Sequence, residues 1–237
     1  MQDLSEQPIS LGEAAYRRLR SDIVSCRLAP GQRITEKQLA IDTGFGISPL
    51  RDALTRLDHD GLVRTLPRKG YQVTPLTPKS IDDLFVVWTI VGPELVRLGV
   101  ANSTDEQLAR ARSLFQQMDD LGDEVAGTGR ALREVELAGE AFAVLAEATE
   151  NSYMIHLFDR LTGDMSRIWA LILSSDPSAM RADPPKQWVT HFLVARDADA
   201  AAQNARRYIG EMHQRVLQAV VRWPSVMASE VVVPLAR

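Results

Sequence analysis

The residues best suited to bind a charged partner lie in the stretch GFGISPLRDALTRLDHDGLV, Gly44 to Val63. A turn with two glycines precedes Ser48-Pro49, a pair typical of a helix start, and Arg51 follows in the first helical turn. Free N–H groups at a helix start bind anions, and a guanidinium holds a phosphate or a guanine edge through two hydrogen bonds. The stretch therefore predicts an anion-binding helix with Ser48 and Arg51 at its front.

Three short helices and a hairpin are predicted around this stretch. Residues 11–26 have helical apolar spacing, which makes Cys26 a small apolar helix residue, and a second helix starts at Thr35 with capping-box spacing and stops at Gly44. The third helix ends at Gly61, and its apolar stripe comprises Leu50, Ala53, Leu54 and Leu57. Two β-prone runs then flank Pro67-Arg68-Lys69-Gly70, which predicts a hairpin with a basic tip.

This order of elements is that of a winged helix-turn-helix, in which the third helix lies in the DNA major groove and the hairpin reaches along the backbone or minor groove. The charge distribution favours the same interpretation. Residues 11–74 carry eleven Lys/Arg against seven Asp/Glu, a balance of +4, although the whole chain has a net charge of -4. The alternative is a three-helix packing module whose arginines are merely solvated.

The run from Leu28 to Val73 contains PG-x-x-I-x-E-x-x-LA, P-L-R-D-AL-x-x-L, GLV and a K-G wing in register. It resembles the DNA-binding domain of GntR-type bacterial transcription regulators. The resemblance implies that DNA is contacted by Lys37, Ser48, Arg51, Arg68 and Gly70. The basic hairpin tip adds Lys69 to these predicted DNA contacts. Most members begin the recognition helix with Ser-Arg-Thr, whereas this chain has Gly46-Ile47-Ser48. Ile47 cannot hydrogen-bond a guanine, so it packs against a thymine methyl or turns inward, and the operator should depart from the usual one.

A second, all-helical domain is predicted after the hairpin. Thr77-Pro78 has the pattern of a cap and a first helical residue, and apolar stripes continue to the end of the chain. They lie near residues 81–95, 104–118, 130–149, 152–173, 185–195 and 198–222. The expected organisation is a flexible tail at 1–10, a winged helix at 11–76 and a bundle of about six helices at 77–237. The fold class is therefore mostly α with a small β-hairpin wing.

The second domain resembles the effector-binding bundle of the FadR-type branch of GntR regulators, on its helix order and the runs LAEATENSYM and ARDADAAAQNARRY. The resemblance implies a small molecule in the interior and a contribution to dimerisation. Many members hold a metal ion through one aspartate and three histidines. The corresponding positions here are Ala138, Phe142, Lys186 and Tyr208, which do not form a ligand set for a divalent metal. We expect neither a metal nor another cofactor.

Trp88 stands where many relatives carry an arginine that suits an acidic ligand. If Trp88 and Phe142 face one cavity, the site favours an apolar, aromatic or fatty acyl-type effector. Alternatively, both rings fill the space and no ligand binds. Polar contacts to an effector are assigned to Arg167, Lys186, Arg207 and Tyr208, with a surface role as the alternative for each.

No motif of an enzyme is present: the sequence lacks G-x-S-x-G, a phosphate-binding glycine loop and a Cys–His pairing. A single cysteine agrees with a reducing compartment, and neither a signal peptide nor a membrane span is expected because apolar runs are short and interrupted by charge. We therefore predict a cytoplasmic, homodimeric repressor that binds double-stranded operator DNA and responds to a small-molecule effector. The alternative is a helical metabolite-binding or protein-interaction module without sequence-specific DNA binding.

Overall fold

The computed structural model describes residues 10–121, 128–175 and 188–220. The chain forms two compact units, one ending at Leu76 and the other beginning at Thr77. The predicted fold class, mostly helical with a small sheet in the first unit, is confirmed. Residues 1–9 of the predicted tail lie outside the described residues, whereas the hydroxyl of Ser10 accepts a hydrogen bond from the Glu13 N–H and caps the first helix.

The first unit contains three helices, α1 (Leu11–Val24), α2 (Glu36–Thr43) and α3 (Ile47–His59). Their apolar faces form one core, to which α1 contributes Ala15, Leu19 and Ile23 and α3 contributes Leu50, Ala53, Leu54 and Leu57. The prediction that Cys26 lies on the first helix was wrong. Cys26 follows the C-cap Ser25 and adopts a φ of 57°, the left-handed conformation with which many helices end.

The sheet of this unit has three antiparallel strands in the order β1-β3-β2, namely β1 (Arg33–Ile34), β2 (Val63–Leu66) and β3 (Gly70–Val73). The predicted hairpin is β2–β3, whereas β1 was missed because two residues carry no periodic signal. Gly70 has a φ of 81°, and a Cβ built on it would come within 2.6 Å of the Ile34 carbonyl oxygen of β1. Only glycine allows this close approach without strain.

The second unit contains six helices in the described parts of the chain. They are α4 (Pro78–Asn102), α5 (Asp105–Asp119), α6 (Thr128–Ala148), α7 (Ser152–Ser175), α8 (Trp188–Ala195) and α9 (Ala198–Val220). α4 packs against α6, α7 and α9, and α5 packs against α6 and α8. Thr77 and Ser80 form a reciprocal capping box at the start of α4, and Thr104 and Gln107 form another at the start of α5.

Among the described helices, α4 alone is long and apolar enough to cross a membrane by length and composition. Its fully buried Phe85, Leu95 and Val100 lie in the protein interior. The helix also carries the exposed pair Glu94 and Arg97, whose side chains bind each other. The apolar character of α4 is therefore accounted for by its position among α6, α7 and α9.

We predict that Gly99→Ala destabilises the second unit by about 1–3 kcal/mol. A Cβ at Gly99 would lie 2.5 Å from the Leu145 carbonyl oxygen, and the α6 backbone must move to admit it. Gly139→Ala is the matched control: no atom lies within 4 Å of its Cβ position in α6, so alanine should stabilise by about 0.5–1 kcal/mol. Urea unfolding followed by tryptophan fluorescence measures both, because all four tryptophans lie after residue 76. Equal effects of the two variants would contradict the close α4–α6 contact.

Candidate DNA interface and effector cavity

α3 begins at Ile47, and Gly46 is its N-cap in an extended conformation without a side-chain cap bond. The prediction that Ser48 caps the helix and Pro49 occupies its first position was therefore wrong by two residues. The shift loses no hydrogen bond, because Pro49 still falls among the first residues, whose N–H groups have no partner inside a helix. The Ser48 side chain stays exposed at the front of the helix.

Arg51 projects from this front and is held by a carboxylate of the neighbouring helix. Its Nε donates to Glu36 Oε1 and its Nη2 to Glu36 Oε2, both at 2.9 Å, and 62% of the Arg51 side chain remains exposed. Tyr71 of β3 donates its hydroxyl to Glu36 Oε1 at 3.4 Å. The hydrogen bonds from Arg51 lower the pKa of Glu36, so the carboxylate remains charged. Residues of α2, α3 and β3 thus converge at the front of α3.

The pairing leaves a second edge of the Arg51 guanidinium available. Arginine has five N–H donors in a planar fork, and Glu36 takes one from Nε and one from Nη2. The remaining donors on Nη1 and Nη2 form the end of the fork, which suits a bidentate contact with guanine O6 and N7 or with a phosphate. The sequence placed Arg51 at an interface but gave no sign of its partner, which lies fifteen residues earlier in the chain.

Arg56, which lies near Arg51 on α3, has a different role. Its Nη1 lies 2.7 Å from Glu13 Oε2, and its guanidinium carbon lies 3.9 Å above the centre of the Tyr16 ring. The Tyr16 hydroxyl donates to Asp60 at 2.7 Å. The hydrogen bonds from Arg56 and then Arg17 lower the pKa of Glu13. Arg56 therefore ties α3 to α1.

The other sequence-predicted DNA contacts lie on α2 and at the wing tip. Lys37, Arg68 and Lys69 are exposed, and none of them joins an ion pair within the described ranges. Arg68 adopts a φ of 62° in a turn that the Lys69 N–H closes onto the Leu66 carbonyl at 2.9 Å. Gly70 serves the wing by allowing β3 to approach β1. The wing tip is thus a hydrogen-bonded turn that carries two cations outside the ion pairs of the described residues.

In the second unit, four aromatic rings from α4, α5, α6 and α7 pack together. Trp88 meets Phe142 edge-on with 6.0 Å between ring centres, Phe158 lies 6.0 Å from Trp88, and Phe115 meets Phe142 edge-on at 6.2 Å. Beside them is a cavity of about 30 Å³, lined by Val96, Phe115, Phe142, Leu145, Phe192, Leu193, Ala201 and Ala205. This volume suits one or two water molecules, whereas sites for drug-sized ligands have at least about 300 Å³. The geometry favours the alternative in which the rings fill the space.

Three of the polar residues assigned to an effector, Arg167, Arg207 and Tyr208, are not among the residues that line this cavity. Arg167 of α7 is fully buried and its Nη1 lies 3.1 Å from Asp164 Oδ1, so the alternative of a surface role is wrong for Arg167. Tyr208 of α9 is half-buried as a residue, and desolvation raises the pKa of its phenol to about 12. Arg207 is exposed. Lys186 lies outside the described residues.

No group of three or more His, Cys, Asp or Glu side chains close enough to hold a metal ion occurs in the part of the chain that the structure describes. Sequence reasoning missed the role of His213, which stacks on Phe85 with 4.8 Å between ring centres. Its Nε2 lies 2.8 Å from Asp82 Oδ1. His213 therefore ties α9 to the first turns of α4.

A three-helix unit with an exposed arginine at the front of its third helix and a basic wing has the architecture of a winged helix-turn-helix DNA-binding module, here followed by an all-helical unit. Comparison with protein-family models agrees with this architecture. Residues 11–73 match the family described as bacterial regulatory proteins, gntR family, and residues 83–211 match the FCD domain. The chain belongs to the gntR family of bacterial regulatory proteins with an FCD domain.

Individual relatives cover different shares of the chain. The chain is 26% identical over 200 residues to the HTH-type transcriptional repressor GlaR of Escherichia coli (strain K12). This alignment covers 82% of this chain and 90% of GlaR. The chain is 33% identical over 104 residues to the Nta operon transcriptional regulator of Aminobacter aminovorans, covering 44% of this chain and 50% of the relative. An uncharacterized regulator of Bacillus subtilis (strain 168), YdhC, matches at 33% over 42% of its length. The match therefore spans about half the length of the last two relatives.

Solved structures show the same fold. Escherichia coli McbR/YncC superposes with a TM-score of 0.70 over 89% of this chain and 98% of that chain, at 19% sequence identity. A GntR regulator described as putative, from Rhodococcus sp. RHA1, superposes with a TM-score of 0.66 at the same identity.

We predict that Phe142→Ala enlarges the cavity and destabilises the second unit by up to about 4 kcal/mol, because the ring between Trp88 and Phe115 is lost. An apolar void of this kind binds small aromatic molecules, so indole should raise the melting temperature of the variant more than that of the original chain. Val194→Ala is the control, since Val194 is 62% exposed on α8 and should change stability by less than about 0.5 kcal/mol. Differential scanning fluorimetry with and without indole measures both effects. Unchanged stability of Phe142→Ala would show that the ring does not support the aromatic cluster.

Proposed function

We propose that the protein is a transcription repressor that binds double-stranded operator DNA through α3 and the wing and is controlled by a small-molecule effector in the helical unit. One observation carries this proposal: the free end of the Arg51 guanidinium is exposed at the front of α3, while the opposite face of the same helix fills the core. In helix-turn-helix proteins the front of this helix contacts base edges. Catalysis is not part of the proposal.

The charges around α3 support a polyanionic partner. Lys37, Arg68 and Lys69 are exposed cations outside any described ion pair, and they suit contacts with the phosphate backbone. The Glu36 carboxylate is occupied by Arg51 and Tyr71, which reduces its repulsion of phosphates. Phosphate contacts release counterions, so affinity should fall linearly with salt concentration on logarithmic scales.

The effector is proposed to be apolar, either aromatic or acyl-type. The cavity lining is apolar throughout, and a larger ligand requires lining rings such as Phe115 and Phe142 to move. The proposed polar contacts are Arg167, Lys186 and Tyr208. An effector shifts an equilibrium only through its different affinities for two states, so the state with the displaced rings must differ in DNA affinity.

Two copies of the chain are proposed to bind two half-sites of one operator in the cytoplasm. Val86, Val87 and Ile90 form an exposed apolar group on α4, with exposures of 49%, 39% and 67%. Exposed apolar patches often mark association surfaces, and these three residues support self-association of the helical unit. Repression, rather than activation, is supported by GlaR and by RspR of Escherichia coli (strain K12), both described as transcriptional repressors.

We predict that Arg51→Ala abolishes most of the preference for operator DNA, by about 10-fold to 100-fold, because a bidentate arginine contact contributes about 1–3 kcal/mol of discrimination. Selection from random duplexes supplies the operator, and mobility-shift titrations at several salt concentrations measure specific and random-sequence binding. Arg110→Ala is the control, because it removes one exposed positive charge of α5 and should leave the preference unchanged.

Glu36→Gln should separate the orienting role of Glu36 from its charge. We expect a lower preference for the operator, because Arg51 is less firmly held, together with tighter binding of random DNA, because one negative charge is gone. The same titrations measure both quantities. If the unaltered chain enriches no sequence and shows no salt dependence, it is instead a helical metabolite-binding or protein-interaction module.

We predict that Ile90→Glu shifts the protein from dimer to monomer, because a carboxylate would have to be buried at the proposed contact. Sedimentation velocity measures the state, and the half-site pair should then be bound more weakly. Tyr153→Glu is the control: Tyr153 is 87% exposed on α7, apart from the α4 patch. A dimer that survives Ile90→Glu would locate the contact elsewhere.

A further inference from the structure

Ile47 is a large aliphatic residue at the first position of α3, and 41% of it is exposed. The core face of this helix is formed by Leu50, Leu54 and Leu57, which are fully buried. Ile47 is not one of these core residues. One exposed isoleucine is ordinary in a protein surface. The position of Ile47, rather than its exposure, is therefore the informative observation.

Ile47 and Arg51 are four residues apart and lie on the same side of α3. Glu36 holds Arg51 through two hydrogen bonds and leaves the end of the guanidinium free. The orientation of Arg51 therefore marks the side of α3 on which Ile47 also lies. The two Cα atoms are separated by about 6 Å along the helix axis, which corresponds to about two base-pair steps of 3.4 Å. Side chains at these positions can therefore reach the same short segment of a major groove.

The chemistry of Ile47 selects one feature of that groove. Thymine presents a 5-methyl group beside its O4 acceptor in the major groove, whereas guanine, adenine and cytosine present hydrogen-bonding groups and no methyl group there. Isoleucine has no donor or acceptor in its side chain, so it gains from packing on a methyl group and leaves the polar edges of other bases unsatisfied.

We propose that Ile47 is a specificity-determining residue that packs on the 5-methyl group of a thymine within about two base pairs of the group contacted by Arg51. This inference rests on the proposed function. It adds to that function a thymine requirement that depends on shape and apolar contact rather than on hydrogen bonds.

The test uses operator duplexes selected with the full-length protein, in which each thymine in turn is replaced by deoxyuridine. This replacement removes one methyl group and leaves the hydrogen-bonding edges unchanged. At one position per half-site we expect binding about fourfold weaker, because burial of one methyl contributes about 0.8 kcal/mol. For Ile47→Ala the same replacement should have less than half this effect.

Ile41→Ala is the matched control, since Ile41 is a 70% exposed isoleucine on α2 rather than on α3. This variant should keep the full sensitivity to deoxyuridine. Ile47→Arg should change the selected base at the sensitive position from thymine to guanine. Circular dichroism of each variant checks that α3 is folded.

The inference is overturned if no thymine is sensitive, or if deoxyuridine affects the unaltered chain and Ile47→Ala equally. In both cases a selected operator would still exist, and the proposed function would stand. If selection enriches no sequence with the unaltered chain, the proposed function itself fails, and this inference fails with it.

Discussion

The bidentate ion pair between Glu36 and Arg51 is the contact on which the candidate DNA interface depends. It joins α2 to the front of α3, and Tyr71 of β3 adds a third element to the same carboxylate. An exposed arginine would otherwise sample many rotamers, and ordering it on binding would cost conformational entropy. With one edge of the fork held by Glu36, the free edge is already directed before any DNA arrives.

The rest of the first unit maintains this geometry. Arg56 binds Glu13 and covers Tyr16, which fixes α3 against α1 on the side away from Arg51. Gly70 lets β3 approach β1 closely and so keeps Tyr71 beside Glu36. Because these contacts are separate from the exposed cations of α2 and the wing, changes to the cations should alter DNA affinity without loosening the unit.

In the second unit, the packing of the interior determines how an effector could bind. Close helix contact occurs at Gly99, and Trp88, Phe115, Phe142 and Phe158 pack together in the interior. Among the described residues, the cavity beside these rings has a volume of about 30 Å³. In the proposed function, an apolar effector exchanges its own surface for that of the aromatic rings. Such an exchange makes affinity sensitive to how well the ligand replaces those contacts, and in the proposed mechanism ring displacement supplies the second state of the bundle.

Periodicity, turn residues and motif spacing were enough to predict the helices, the wing and the fold class, because these signals are local to each segment. The same local signals placed Arg51 at the front of α3. Ile47 was singled out only by the resemblance to GntR-type regulators, because the predicted cap at Ser48 left Ile47 outside the helix, whereas α3 begins at Ile47. Local signals could not predict long-range contacts such as the carboxylate that holds Arg51, the burial of Arg167 and the strand β1. They also could not decide whether Trp88 and Phe142 border an open cavity or pack against each other. Each of these depends on which distant side chains meet across packed elements, and that is decided only when the whole core forms.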